Sequence, residues 1–351
     1  MLDAEMPLTT TVIGSFPKPK YLQTPDWFRT QNYIKDYNSY AAQDIAEREA
    51  LVEKATSEAI TLQCSIGVDI VTDGEMRREN YVHYFCRHLD GIDFENLTTK
   101  SSRGGAWVAD LPTITSDIRL KGHGWMASEW KAAQAMTERP VKATLPGPMT
   151  IINSIADDFY HDDEKLGSLL AGLLNQEILA LAAAGCKYIQ VDAPVLVRFP
   201  DAALHHGIEH LSKCFSGVPD DVTRCIHICC GYPLYLDQQD YIKADPDAYL
   251  KIASKLDSSG FDHISIEDAH RHNDLELFHK FKQSKVVLGV LKIASSQIET
   301  VQQVKQRLEE VLTVLPADRL IVAPDCGLGF LSEKQALEKL SVMVQAAQAV
   351  P

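Results

Sequence analysis

Four side chains in the C-terminal half have the types and spacing of a metal–thiol centre. His227 and Cys229 are separated by one residue within the β-branched run Thr223–Ile228. On a strand, period-two alternation points both side chains to one face. Glu267 follows a second such run, His263–Ile266, and Cys326 lies just past a third, Leu320–Ala323. Two thiolates, an imidazole and a carboxylate would then converge from three strand ends. Cysteine and histidine favour Zn²⁺, which takes tetrahedral ligation. Two thiolates and a carboxylate around a divalent ion leave a net charge of about −1, so a sulfur there stays nucleophilic. The competing reading is buried packing thiols beside one hydrogen-bonded histidine. A closed structural zinc knuckle is another, but ligands spread from 227 to 326 suit an open catalytic site better.

Three further residues end apolar runs. Glu75 follows Val68–Thr72, Asp192 follows Tyr188–Val191, and Ser15 follows Thr10–Ile13. Carboxylates facing one cavity would bind an ammonium through charge-assisted hydrogen bonds. Helix capping, or pairing with Arg77 and Arg78, uses the same residues differently. At Gly14-Ser15 a backbone amide could hold a carboxylate, although for Ser15 taken alone a simple turn is the favoured reading. His206 and His210 have i, i+4 spacing, but no Glu or Cys nearby completes a metal set. Cys230 should point away from Cys229 and pack in the core. Cys64, Cys86, Cys186, Cys214 and Cys225 show no partner, and neither Gly14 nor Gly147 belongs to a phosphate-binding fingerprint.

Positioning these residues requires a repeating scaffold. Eight short runs read as strands: Thr10–Ile13, Val68–Thr72, Val141–Leu145, Tyr188–Val191, Thr223–Ile228, His263–Ile266, Val286–Val290 and Leu320–Ala323. Helical periodicity fills Ala41–Ser65, Asp163–Ala184, Ala202–Lys213, Asp247–Ser258, Leu275–Phe281, Ile298–Val314 and Glu333–Ala349. Such alternation implies parallel strands with helical crossovers. Eight units predict an α/β fold of the (β/α)8 TIM-barrel type, one catalytic barrel over 1–351, with its site at the strand C-termini. Residues 80–139 break the rhythm between strands 2 and 3. They carry Gly104-Gly105 and Gly122-His123-Gly124, and read as an inserted lid or hairpin with a helix near Met126–Glu138.

Composition excludes other classes. The 351 residues include 34 basic and 48 acidic side chains, a net charge of −14. That argues against nucleic-acid or anionic-membrane partners, which need basic patches. A 45% hydrophobic and 23% charged chain is not disordered. No apolar run approaches the ~18 residues that span a bilayer, and the acidic start Met1–Pro7 is unlike a secretory signal. The expectation is a cytoplasmic protein, with its eight cysteines as thiols or metal ligands.

Taken in order, the motifs resemble the catalytic C-terminal half of cobalamin-independent methionine synthase. They are Ile13-Gly14-Ser15-Phe16-Pro17, Asp73-Gly74-Glu75-Met76, Pro146-Gly147-Pro148-Met149-Thr150, Val191-Asp192-Ala193-Pro194, His227-Ile228-Cys229, Ser265-Ile266-Glu267 and Pro324-Asp325-Cys326-Gly327-Leu328. The resemblance implies a (β/α)8 barrel in a core-only form without the family's N-terminal barrel. It implies His227, Cys229, Glu267 and Cys326 as ligands of Zn²⁺, and Ser15, Glu75 and Asp192 as the residues holding homocysteine. Two departures fall on the methyl donor. The family's Asp-x-His-Ser reads Lys292-Ile293-Ala294-Ser295, so the histidine that helps protonate the folate nitrogen is lost. The pterin-contacting tryptophan is missing from Ile151–Ile155, with Ser154 and Phe159 nearest. The expected reaction is methylation of the homocysteine thiol, with methyltetrahydrofolate or a methylcorrinoid, free or protein-bound, as donor. Rival readings are an alkyltransferase acting on coenzyme M, whose sulfonate Glu75 and Asp192 would repel, and a non-catalytic zinc- or thiol-binding barrel. A uroporphyrinogen-type decarboxylase shares the barrel but has no use for a thiolate cluster.

Overall fold

The computed structural model describes residues 7–26, 33–102, 107–231, 233 and 235–350. In chain order the strands are β1 (Thr9–Thr10), β2 (Leu89–Ser102), β3 (Trp107–Leu120), β4 (Ala143–Pro146), β5 (Ala156–Asp157), β6 (Tyr188–Asp192), β7 (Thr223–Ile228), β8 (His263–Ile266), β9 (Lys285–Gly289) and β10 (Leu320–Ala323). The helices are α1 (Tyr33–Ala41), α2 (Ile45–Ile66), α3 (Tyr81–Arg87), α4 (Trp125–Gln134), α5 (Pro148–Ser154), α6 (Asp163–Ala184), α7 (Pro200–Ala202), α8 (Ile208–Cys214), α9 (Ala248–Asp257), α10 (Val301–Leu312) and α11 (Glu333–Ala349).

Seven strands form one curled parallel sheet in the order β1-β10-β9-β8-β7-β6-β4. Strands β4 and β10 are buried at every position, as expected where helices cover a parallel sheet. The run Val68–Thr72 departs from expectation. It makes only isolated bridges, Thr11 to Ile70 on one side and Val71 to Val141 on the other. The reason lies in the donors. The Thr10 amide is taken by the Asp69 carboxylate at 2.8 Å rather than by a neighbouring backbone. On the other side Pro140 accepts from the Val71 amide at 3.0 Å but, having no N–H, cannot return a bond.

The interruption after this segment contains α3, then the antiparallel pair β2–β3, to which β5 adds in parallel. Gly104-Gly105 lies outside the described residues, as do residues 1–6 of the N-terminal start. Arg87 ties the hairpin to the body: its Nε donates to Glu79 at 2.6 Å, and its guanidinium lies 3.3 Å from the Tyr37 ring centre and 4.1 Å from that of Phe94.

Three helical expectations change. The segment Ala41–Ser65 is α1 and α2, divided at Asp44, whose side chain caps the Glu47 amide at 2.9 Å. The segment Ala202–Lys213 contains a π-helical turn, Ala203–Gly207, ahead of α8. Leu275–Phe281 is a 3₁₀ turn, Leu275–Lys280. Among the described residues, α6 is the one helix long and apolar enough, by length and composition, to cross a bilayer. Its Leu166, Leu170, Leu174 and Ile178 recur every four residues and are fully buried in the core.

Behind the sheet mouth, Arg307 of α10 holds the buried Asp268 in a fork, Nε to Oδ2 at 2.7 Å and Nη2 to Oδ1 at 2.9 Å. Removing the cation would strand a buried carboxylate. Arg307→Met is expected to lower the unfolding free energy by about 3–5 kcal/mol in urea titration, and a loss below about 1 kcal/mol would contradict this account.

Candidate active site

The C-terminal ends of β7 and β10 bring three of the four expected ligands together. The candidate ligand atoms of His227, Cys229 and Cys326 all lie within 4.8 Å of one another. His227 Nε2 is 3.4 Å from Cys326 Sγ. Its other nitrogen, Nδ1, lies 2.9 Å from Ser265 Oγ on the adjacent strand β8. That contact fixes the ring and leaves Nε2 facing the thiols, the arrangement by which a neighbouring group orients a metal-binding histidine. Cys326 donates its S–H to Cys229 Sγ at 3.9 Å. This bond holds the Cys229 thiol well below its ordinary pKa and raises Cys326 well above, so the pair shares a proton. An imidazole and two thiols, oriented inward with one thiolate already favoured, fit the donor set of Zn²⁺.

Glu267 is placed differently. Its Oε2 accepts from the Cys230 amide at 3.0 Å, and its Oε1 pairs with Lys243. It groups with His270 and Asp325, whose ligand atoms also lie within 4.8 Å of one another, rather than with the thiols. Asp325 is occupied in full. Its oxygens accept from the amides of Asp268 at 3.0 Å, Ala269 at 2.8 Å and His270 at 2.8 Å, and lie 2.6 Å from His270 Nδ1.

The two carboxyls and Ser15 flank this cluster. Asp192 stands opposite His227 in the β6–β7 register and takes a 2.7 Å bond from Gln190 Nε2. Burial pushes its pKa up to about 7, opposed by the charge of His227 and reinforced by that of Glu75. Burial also raises Glu75, against the pull of Arg78. Glu75 accepts from Thr144 Oγ1 at 3.0 Å and sits 3.5 Å from Arg78 Nη1, so the pairing with Arg78 is present. Its backbone is left-handed, with φ of 56°, a conformation that costs energy and recurs at binding sites. Two glycines allow the close approach: a Cβ on Gly14 would fall 2.5 Å from Glu75 Oε1, and one on Gly327 would collide with Ser15 Oγ. Two buried carboxyls with raised pKa values thus lie beside a serine turn, and a cation brought near them would favour their ionised forms.

Some residues here escaped sequence reasoning. Tyr81 of α3 lies within electrostatic reach of Asp192, Cys229 and Cys326, and burial raises its phenol well above the usual range. Arg198, past β6, acts on both Cys229 and Tyr81. His270 was signalled only by following Glu267 by three positions. Its Nε2 accepts from the Ala294 amide at 3.2 Å, so an imidazole does stand beside the position where the expected histidine is missing. His206 and His210 remain apart from the cluster: their rings are 5.1 Å apart on the π turn and α8, and neither Nδ1 has a hydrogen-bond partner among the described residues.

A curled parallel sheet with imidazole, thiols and carboxyls at its strand C-termini is the arrangement of an α/β enzyme with a candidate metal centre at its mouth. The chain matches the family model for the cobalamin-independent synthase catalytic domain over residues 8–349. It is 28% identical over 347 residues to a methionine synthase of Saccharolobus solfataricus, covering 98% of this chain and 95% of that one. It is 26% identical over 352 residues to a methionine synthase of Pyrococcus furiosus, covering 99% and 94%. A solved structure, a B12-independent methionine synthase from Shewanella sp. W3-18-1 in complex with selenomethionine, superposes with a TM-score of 0.86 at 30% identity over 97% of each chain. The chain belongs to the cobalamin-independent methionine synthase family and is a methyltransferase.

The Ser265 contact is open to direct test. Ser265→Ala should leave the far-ultraviolet spectrum unchanged and weaken Zn²⁺ affinity, read by chelator competition, about 10–100-fold. Unchanged affinity would show that the histidine needs no such orientation.

Proposed function

We propose that this chain methylates the thiol of L-homocysteine to form methionine, at a zinc centre in a single (β/α)8 barrel over 1–351. The observation that carries the reading is the convergence of His227 Nε2, Cys229 Sγ and Cys326 Sγ within 4.8 Å, beside Asp192 and Glu75. Closure of the barrel through segment 70–71 is supported by its bridges to both edges of the sheet, and residues 80–139 serve as an inserted lid. All eight cysteines are free thiols, which suits a reducing cytoplasm.

His227, Cys229 and Cys326 would hold the ion, with Glu267 the expected fourth group. When bound, Zn²⁺ lowers the pKa of a coordinated thiol so that a thiolate exists near neutral pH. The protein supplies the rest. Ser15 and its turn receive the acceptor carboxylate, while Glu75 and Asp192 ionise against the incoming ammonium and hold it. The barrel walls align sulfur and methyl, and such positioning supplies on the order of 7–11 kcal/mol of the barrier at best. The selenomethionine complex of the Shewanella relative agrees with a pocket shaped for a methionine-like amino acid.

The donor half points away from methyltetrahydrofolate. A methyl on a tertiary amine leaves only when the nitrogen is protonated, whereas a methyl on corrinoid cobalt needs no acid. Ala294 offers no proton, and both nitrogens of His270 are engaged, Nδ1 by Asp325 and Nε2 by the Ala294 amide. A methylcorrinoid is therefore the donor of choice. Methionine formation should be supported by methylcobalamin, with methyltetrahydrofolate slower by about 10²–10⁴-fold, the usual worth of a general acid. Equal or faster turnover with methyltetrahydrofolate overturns the donor assignment. On the acceptor side, Asp192→Asn should raise the homocysteine KM about 10–100-fold through loss of a charged hydrogen bond; an unchanged KM would remove Asp192 from the pocket.

A further inference from the structure

Four successive carbonyls run up to and include Ser15, and each is taken by a different part of the chain. Val12 accepts from Lys142 Nζ at 2.6 Å, Ile13 from Gln190 Nε2 at 2.9 Å, and Gly14 from Thr72 Oγ1 at 2.7 Å. Ser15 accepts from the Leu328 amide at 2.8 Å. Of these donors, Gln190 also reaches the candidate amino-acid pocket: its Nε2 donates to Asp192 Oδ1 at 2.7 Å. Residues 190 and 192 lie two positions apart on β6 and so share one face of the strand. The Ile13 carbonyl can only accept, so the amide nitrogen must face it, and its two hydrogens serve the two bonds. The side chain is buried, which makes both bonds costly to lose.

We propose that Gln190 is a positioning residue that ties Asp192 to the Ser15 turn, and so sets the separation between the groups that receive the acceptor's ammonium and its carboxylate. The proposal rests on the homocysteine reading above. Its basis is geometric. Lys142, Thr72 and Leu328 hold the turn without help from Gln190, so the turn is the fixed post and Asp192 the group being held. The bond to Oδ1 fixes the plane of the carboxyl and leaves Oδ2 to meet the ammonium. A carboxyl already oriented binds a cation without the cost of ordering it on arrival. Gln190 therefore acts on selection for the amino group and not on the thiol.

The test uses the full chain with zinc supplied, and calorimetric titration of L-homocysteine and of 4-sulfanylbutanoic acid, the same molecule without its amino group. Gln190→Met should weaken homocysteine binding about tenfold, through the lost bond to a charged group, and change binding of the des-amino thiol by less than about threefold. Gln190→Glu keeps the shape and replaces the amide donors with a carboxyl, so it tests the proposal even if Gln190→Met fails to fold. It should weaken homocysteine binding by about tenfold or more. In an Asp192→Asn background, Gln190→Met should add less than about threefold, because it acts through Asp192. Equal losses for both ligands, or a further loss of about tenfold in the Asp192→Asn background, make Gln190 a general support and overturn the proposal. Homocysteine binding that is unchanged in both Gln190 variants, while Asp192→Asn weakens it, overturns the proposal alone. An Asp192→Asn protein that binds homocysteine as wild type does overturns the acceptor reading, and this proposal with it.

Discussion

The buried carboxylate of Asp325 organises the mouth of the sheet. It accepts three successive amides, from Asp268, Ala269 and His270, and contacts His270 Nδ1 at 2.6 Å. Those bonds join the end of β10, which carries Cys326, to the end of β8, which carries Glu267. Burial opposes the charge, while the imidazole and the amides hold the carboxyl below its ordinary pKa. Because all its lone pairs are committed, Asp325 acts as a brace rather than a ligand. It leaves Cys326 facing His227 and Cys229 across the top of the sheet.

From that brace the division of labour follows. One side of the mouth gathers soft donors, the thiols and an imidazole oriented by Ser265. The other gathers Asp192 and Glu75, whose pKa values burial raises even with His227 near the one and Arg78 beside the other. On the proposed reading, a ligand with a thiol at one end and an amino-acid group at the other engages both sides together. Membership of the cobalamin-independent methionine synthase family accords with that demand. The departures from the family pattern fall on the remaining side, where Ala294 carries no acid and both nitrogens of His270 are engaged.

Much of this was legible in the sequence because strand geometry is regular. Alternation places His227 and Cys229 on one face, and the ends of apolar runs located Asp192, Glu75 and Cys326. What was not legible depends on irregular backbone. The run Val68–Thr72 has strand composition, yet the Asp69 side chain takes the Thr10 amide and Pro140 offers none, so only bridges form. Lys243 reaches Glu267 from 24 positions away, from a part of the chain with no periodicity to read. Tyr81 enters from a helix that the chain places inside an insertion, where no pattern links it to the thiols.

The central claim is that homocysteine sulfur becomes a ligand of a zinc ion held by His227, Cys229 and Cys326. Zinc K-edge absorption on the purified protein, with and without L-homocysteine and with coenzyme M as control thiol, tests it most directly. The account predicts one added sulfur neighbour at ~2.3 Å with homocysteine alone, replacing a lighter atom. A spectrum indifferent to homocysteine would mean a closed site and contradict the account.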